Sequence, residues 1–147
     1  MAPSFVEASE LAARVLRDFQ SAGFVVNMDK SVLHPSQSTT HLGMIVDSVS
    51  GQFEVPAHRW DKLQAAIRSL TSAPRNRVPI RQLASCVGQI ISMRVALGPV
   101  VHLYTRYLYE VINQALGWSG WVTVSQTALE ELSFWSSGDL FGLLREL

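Results

Sequence analysis

Charge is scarce in this sequence. Only 16% of its 147 residues are Asp, Glu, Lys or Arg, against about a quarter in an ordinary globular domain, while 48% are apolar. That balance excludes an intrinsically disordered chain and predicts exposed surface that something else normally covers. There is one cysteine, Cys86, so no internal disulfide can form, and no Cys and His are spaced for zinc. The opening MAPSFVEASE has no cationic-then-apolar run of the kind a signal peptide needs. No apolar stretch approaches the roughly 18 residues of a membrane span. An intracellular protein of a reducing compartment, with no membrane partner, is the expectation; cytoplasm and nucleus stay open. At this length the chain is one domain, or one and a fraction, and long enough to bury a core.

Catalytic furniture is missing as well. No nucleophile stands beside a base, no carboxylates are paired at a telling spacing, and no glycine-rich loop could cradle a phosphate. His34, His41, His58 and His102 are scattered along the chain, and Gly88 stands alone in a helical stretch. The sequence does not read as a complete enzyme.

What charge there is has been segregated. Residues 57–110 carry Arg59, Lys62, Arg68, Arg75, Arg77, Arg81, Arg94 and Arg106 against Asp61 and Glu110, a balance of +6. Residues 1–56 and 111–147 each sum to −3, so the whole chain is neutral. Seven of the eight central cations are arginine, which suits contact with a polyanion; a set of solvated helix faces is the plainer alternative.

The apolar pattern predicts an α+β fold that is mostly α. Leu11, Val15, Leu16 and Phe19 mark a helix over 8–21, with Ser9 as its cap and Gly23 as its stop. Phe24 to Asn27 reads as a short β-run. Asp29 to Ser38 reads as a loop, and Thr39 to Asp47 as an apolar β-run. Turn chemistry over Asp47 to Gly51 then leads into a second run at Gln52 to Val55, a β-hairpin.

Beyond Pro56 the period changes to 3.6. Trp60, Leu63, Ile67 and Leu70 mark one helix, and Leu83, Val87, Ile90 and Ile91 a second that begins at Pro79. Leu103, Tyr107, Val111, Ile112 and Leu116 mark a third over 100–116, after a break at Gly98-Pro99. Three such helices on short loops predict a small bundle. Trp118 and Trp121 fall in a loop, and a last helix starts at Ser125 with Leu129, Leu132 and Trp135 on its apolar face. The three tryptophans read as core, or as cover for a neighbour, rather than as base-stacking platforms. The stripes Leu11/Val15/Leu16/Phe19 and Leu103/Tyr107/Val111 read as core.

Taken in order, four strings resemble one family. Leu16 to Ser31 (LRDFQSAGFVVNMDKS) is similar to motif D of reverse transcriptases, at the end of the polymerase palm. His41-Leu42-Gly43-Met44-Ile45-Val46-Asp47 resembles motif E, the primer-grip strand, although His41 stands where an aromatic residue is usual. Val78 to Ile90 (VPIRQLASCVGQI) resembles the thumb, and Leu129 to Trp135 (LEELSFW) the connector that precedes ribonuclease H. The combination is most like the reverse transcriptases of DIRS-like and related LTR-type retrotransposons. It covers roughly residues 8–136, but the Tyr-x-Asp-Asp box that in the family precedes motif D is absent.

The resemblance implies three regions: a C-terminal part of the palm over 1–56, a thumb-like bundle over 57–117, and a connector toward a missing ribonuclease H domain over 118–147. It implies Mg²⁺ for the parent polymerase but no cofactor for this fragment, which lacks the carboxylates that hold the metals and should not polymerise. The implied partners are an RNA–DNA template–primer duplex and the rest of the polymerase chain, with a homo-oligomer as a further expectation. Lys30 matches the motif D lysine, near the incoming triphosphate in the family; a solvated loop lysine is the alternative. His41, Leu42 and Gly43 match the primer-grip turn, where a simple hairpin bulge would look the same. Arg81, Gln82, Gln89 and Arg94 would touch the duplex. Gly88 would let the thumb helix approach its backbone closely, unless it serves helix–helix packing instead.

Overall fold

A computed structural model describes residues 4–137, in two compact units that divide between Thr39 and Thr40. The fold is α+β and mostly α. The part of the expected connector beyond Ser137 lies outside the described residues.

The first unit is built on α1 (Phe5–Ser21). The helix starts earlier than the apolar spacing suggests, because Ser4 and not Ser9 is its cap. Ser4 Oγ accepts from the Glu7 amide at 3.3 Å, and the Glu7 carboxylate accepts from the Ser4 amide at 2.7 Å, a reciprocal capping box. Ser9 instead donates its hydroxyl back to the Phe5 carbonyl within the helix. Gly23 follows the helix at φ 86°, as a stop should.

Two expectations for this unit fail. Phe24 to Asn27 forms no strand, since it has no ladder partner, and Val25 is 98% exposed. No residue of α1 is buried: Leu11, Val15 and Phe19 remain about half exposed. The stripe is apolar without being core.

β1 (Ser38–His41) leads into the second unit, where the sheet order is β1, β2 (Met44–Asp47), β3 (Gln52–Glu54). The single run expected over 39–47 is two strands, divided by Leu42 and Gly43 at φ 49° and 78°. β2 and β3 form the expected antiparallel hairpin, Ile45 opposite Glu54 and Asp47 opposite Gln52. The Asp47 carboxylate accepts from the amides of Val49 and Ser50 across the turn, and these bonds hold its pKa below the ordinary carboxylate value.

The helical part contains α2 (Ala57–Thr71), α3 (Ile80–Ser92), α4 (Arg94–Leu97), α5 (Val100–Leu103), α6 (Arg106–Asn113) and α7 (Gln126–Ser136). A two-stranded ribbon, β4 (Arg77–Pro79) with β5 (Trp121–Thr123), ties the ends of the bundle together in antiparallel register. β4 and β5 are too short to leave a period-2 signal, and unlike β3 they are not joined to each other by a local turn, so no sequence pattern marks them. Leu63, Ile67 and Leu70 of α2 share one buried cluster with Leu83, Val87 and Ile90 of α3, and with Leu108 of α6 and Leu132 of α7. Each such side chain contributes about 1.5–3 kcal/mol of burial. Val122 and Trp135, from the stretch expected to be a connector, belong to the same cluster.

The helix expected over 100–116 is broken in two. Thr105, at φ −133°, turns its hydroxyl back onto the Val101 carbonyl at 2.6 Å. The amides of Tyr107 and Leu108, which open α6, donate to the buried Glu131 carboxylate at 3.0 and 2.9 Å. A carboxylate at a helix N-terminus meets both orphan amides and the positive end of the dipole. The break rotates the stripe, so Leu103 is 71% and Tyr107 41% exposed, and neither is core. Trp135 donates its indole N–H to the Tyr104 carbonyl at 2.7 Å, and Phe134 stacks on the Tyr104 ring with centroids 3.6 Å apart. Glu131, Phe134 and Trp135 therefore secure α7 to the α5–α6 break.

Candidate nucleic-acid interface

One side of α3 is apolar and shut in the core; the other carries no large side chain except Arg81. At about 100° per residue, Arg81, Ser85, Gly88 and Ser92 line up along the outer side, with Gln82 and Gln89 at its edge. All are exposed apart from Gln89, which is half-buried. This polar ribbon runs for about 16 Å at 1.5 Å per residue. A Cβ placed on Gly88 would meet nothing within 4 Å, so helix–helix packing does not explain this glycine. The Oε1 of Gln89 is shielded from solvent and, among the described residues, has no hydrogen-bond partner.

Arg59 joins this ribbon to the Leu42-Gly43 turn. Its Nη1 donates to the Gly43 carbonyl at 3.1 Å and to the Met44 sulfur at 3.2 Å, and its Nη2 donates to Ser92 Oγ. Ser92 in turn donates to the Gln89 carbonyl at 2.7 Å. A Cβ on Gly43 would approach Arg59 Nη1 to 3.2 Å, tighter than an ordinary contact. So Gly43 and Met44, at the end of the His41-Leu42-Gly43 turn, are fastened through Arg59 to the C-terminal end of α3. Leu42 is 88% exposed at the tip of the turn, and its φ of 49° is costly for a leucine. Nothing in the sequence singles out Arg59 for this task, because the pairing joins positions 16 and 33 residues apart.

The remaining candidates are the cations. Arg81 opens the ribbon, with its Nε on the Trp118 carbonyl at 3.0 Å. Arg94 is exposed at the start of α4, just past the ribbon's far end. Of the other central cations, Arg106 is ion-paired with Glu110 at 3.7 Å. Lys30, in the first unit, ends a single 3-10 turn capped by Asn27; its amide donates to Asn27 Oδ1 at 3.1 Å and its side chain is exposed.

Among the described residues no three His, Cys, Asp or Glu side chains gather into a metal-holding group. No described helix is long and apolar enough to cross a membrane. Cys86 is fully buried in α3, and burial pushes its thiol up to about 11, which makes it a packing residue rather than a nucleophile. Compared with known proteins, the chain matches no family model, no curated sequence and no solved structure.

Proposed function

We propose that this chain is a non-catalytic part of a reverse transcriptase, an RNA-directed DNA polymerase, that positions the template–primer duplex. One observation carries the reading: the outer ribbon of α3, with Gly88 facing open space, is tied by Arg59 to the Leu42-Gly43 turn. A polymerase must hold every sequence alike, so it grips sugars and phosphates rather than base edges. A helix face with only small polar side chains and one arginine suits that task, since it brings the helix backbone close to a shallow groove. Gly43 and Leu42 then meet the primer strand at the ribbon's end. Lys30 would attend the triphosphate only in the whole polymerase.

The test is a fluorescence anisotropy titration of an RNA–DNA hybrid from about 25 to 300 mM salt, the range over which screening acts. With about three or four of the eight central cations reaching phosphates, the log–log slope should be roughly −2 to −4. Arg81→Ala and Arg94→Ala should each flatten the slope by about one unit and weaken all sequences alike. Arg14→Ala with Arg17→Ala, in the acidic segment, should change little. Absence of binding at the lowest salt, or a larger effect of the Arg14/Arg17 pair, overturns the reading.

A second reading, a protein-interaction or self-associating module derived from a polymerase fragment, has its own support in the first unit. There Leu11, Val15, Phe19, Val32 and Leu33 line an open apolar groove, the kind of surface that seeks a partner. Light scattering at high concentration tests it, and a clean monomer mass removes it.

A further inference from the structure

We propose that the β4–β5 ribbon, with the turn before β5, is a separate platform for single-stranded nucleic acid. Unpaired bases stack on Trp121 and Trp118 there, and Arg77 and Arg75 take the phosphates. The two indoles are 59% and 60% exposed and lie only three residues apart, so the core makes little use of them. Their backbone is nonetheless held firmly. The Trp118 carbonyl accepts from Arg81 Nε at 3.0 Å, the Gly120 carbonyl accepts from the Ile80 amide at 3.1 Å, and Trp121 lies opposite Pro79 in the ladder. A rigid backbone presenting outward aromatic faces loses little freedom on binding.

The strand alternation places Arg77 beside Trp121. Val78 and Val122 face the core, so Arg77, Pro79, Trp121 and Thr123 share the outer face of the ribbon. Arg77 is the diagonal neighbour of Trp121, within reach of a long side chain, and both line a cleft with Pro74. Arg75, also exposed, adopts a left-handed conformation at φ 55°, next to Asn76 at 54°. Asn76 has a structural reason, because its carbonyl accepts from the Val124 amide at 2.8 Å.

The chemistry favours an anion with planar groups. No acidic residue occurs between Asp61 and Glu110, and residues 111–129 carry no charge at all. An acidic peptide would use the arginines but leave the indole faces idle, whereas a single strand uses both, one base per ring and one phosphate per cation. The side chains that would contact the strand differ from those of the α3 ribbon, although Arg81 of that ribbon holds the Trp118 carbonyl, so the tryptophan and Arg75/Arg77 variants, not Arg81, separate this site from the duplex reading.

The experiment uses the whole chain and a fluorescently labelled 12-nucleotide oligothymidine, with an RNA–DNA hybrid as the second ligand. Trp121→Ala and Trp118→Ala should each weaken the single strand roughly ten- to a hundredfold, while hybrid affinity stays within about twofold. The double change Arg75→Ala with Arg77→Ala should flatten the single-strand salt slope by about 0.7 per lost contact. Trp121→Phe should recover most of the binding, and it carries the test if Trp121→Ala loses its cooperative thermal transition. Unchanged single-strand affinity in both tryptophan variants overturns the proposal. So does an equal loss for both ligands. So does a drop in oligomer mass with single-strand affinity intact, which would mark the indoles as a protein contact.

Discussion

α1 and α3 carry the same kind of sequence pattern and meet opposite fates. Both are amphipathic, and each presents a stripe of large apolar side chains at helical spacing. In α3 the stripe disappears into the core, with Ile80, Leu83, Cys86, Val87 and Ile90 all buried. In α1 nothing is buried. A periodic apolar stripe states which face of a helix requires cover. It does not state whether the same chain supplies that cover. The second unit has enough helices to close a core around α3, and the first has only a short loop to set against α1.

The largest test of this contrast is a matched pair of truncations. Leu83 is completely buried, and Leu83→Ala should cost about 3–4 kcal/mol from lost transfer energy plus the cavity left behind. Leu11 is 57% exposed, so Leu11→Ala should cost below about 1 kcal/mol. Urea unfolding of both variants measures the difference. Similar losses at the two sites would mean that α1 is covered in solution, by a second copy or by some other surface.

The same contrast explains which features were legible beforehand. Helix positions in the second unit follow from Trp60, Leu63, Ile67 and Leu70 and from Leu83, Val87 and Ile90, because core packing and periodicity agree there. The hairpin follows from Asp47 to Gly51, whose side-chain and glycine chemistry is local. The break between α5 and α6 was not legible, since it depends on Glu131, 23 and 24 residues away from the amides it accepts. The exposure of Trp118 and Trp121 was hidden for a related reason: tryptophan is usually core, and only the β4–β5 register reveals which face Trp121 occupies. On the α3 ribbon, Arg81, Gln82, Gln89 and Gly88 could be picked out singly, while Arg59, which joins them to the Gly43 turn, could not.

Titration separates the two helices next. The Cys86 thiol of α3 is raised from 9.0 to about 11 by burial. The folded state therefore holds its proton after the unfolded chain has lost it, and the resulting stabilisation is full below pH 9 and lost as pH rises from 9 through about 11. The loss is at most about 1.4 kcal/mol per pH unit. Cys86→Ala should unfold with a shallower alkaline decline than the wild type, and identical slopes would contradict the burial. In α1 the shifted group is Glu7, lowered by its bonds to the Ser4 amide and hydroxyl. Its contribution is present above the ordinary value of 4.5 and fades as pH falls through the lowered one. Glu7→Gln should therefore flatten the acid limb for α1 alone.

The smallest effect is the sharpest for function. Gly88 sits in the interior of α3 on its exposed side, where a Cβ meets nothing within 4 Å. Alanine there should raise stability by about 0.5–1 kcal/mol, because glycine loses more backbone freedom on folding and has the poorer helix propensity. A protein that forgoes so accessible a gain keeps its glycine for some other purpose, and under the duplex-positioning proposal that purpose would be close approach by a nucleic-acid backbone. Gly88→Ala should then be more stable than the wild type yet bind an RNA–DNA hybrid severalfold more weakly, with the salt slope unchanged because no cation is lost. Thermal unfolding and anisotropy on the same preparation measure both halves. A gain in stability with undiminished affinity would remove the close-approach role and leave the duplex reading to Arg81 and Arg94 alone. A loss of stability would mean that α3 has a partner on its outer side, and the ribbon would then belong to a protein interface like the one α1 still lacks.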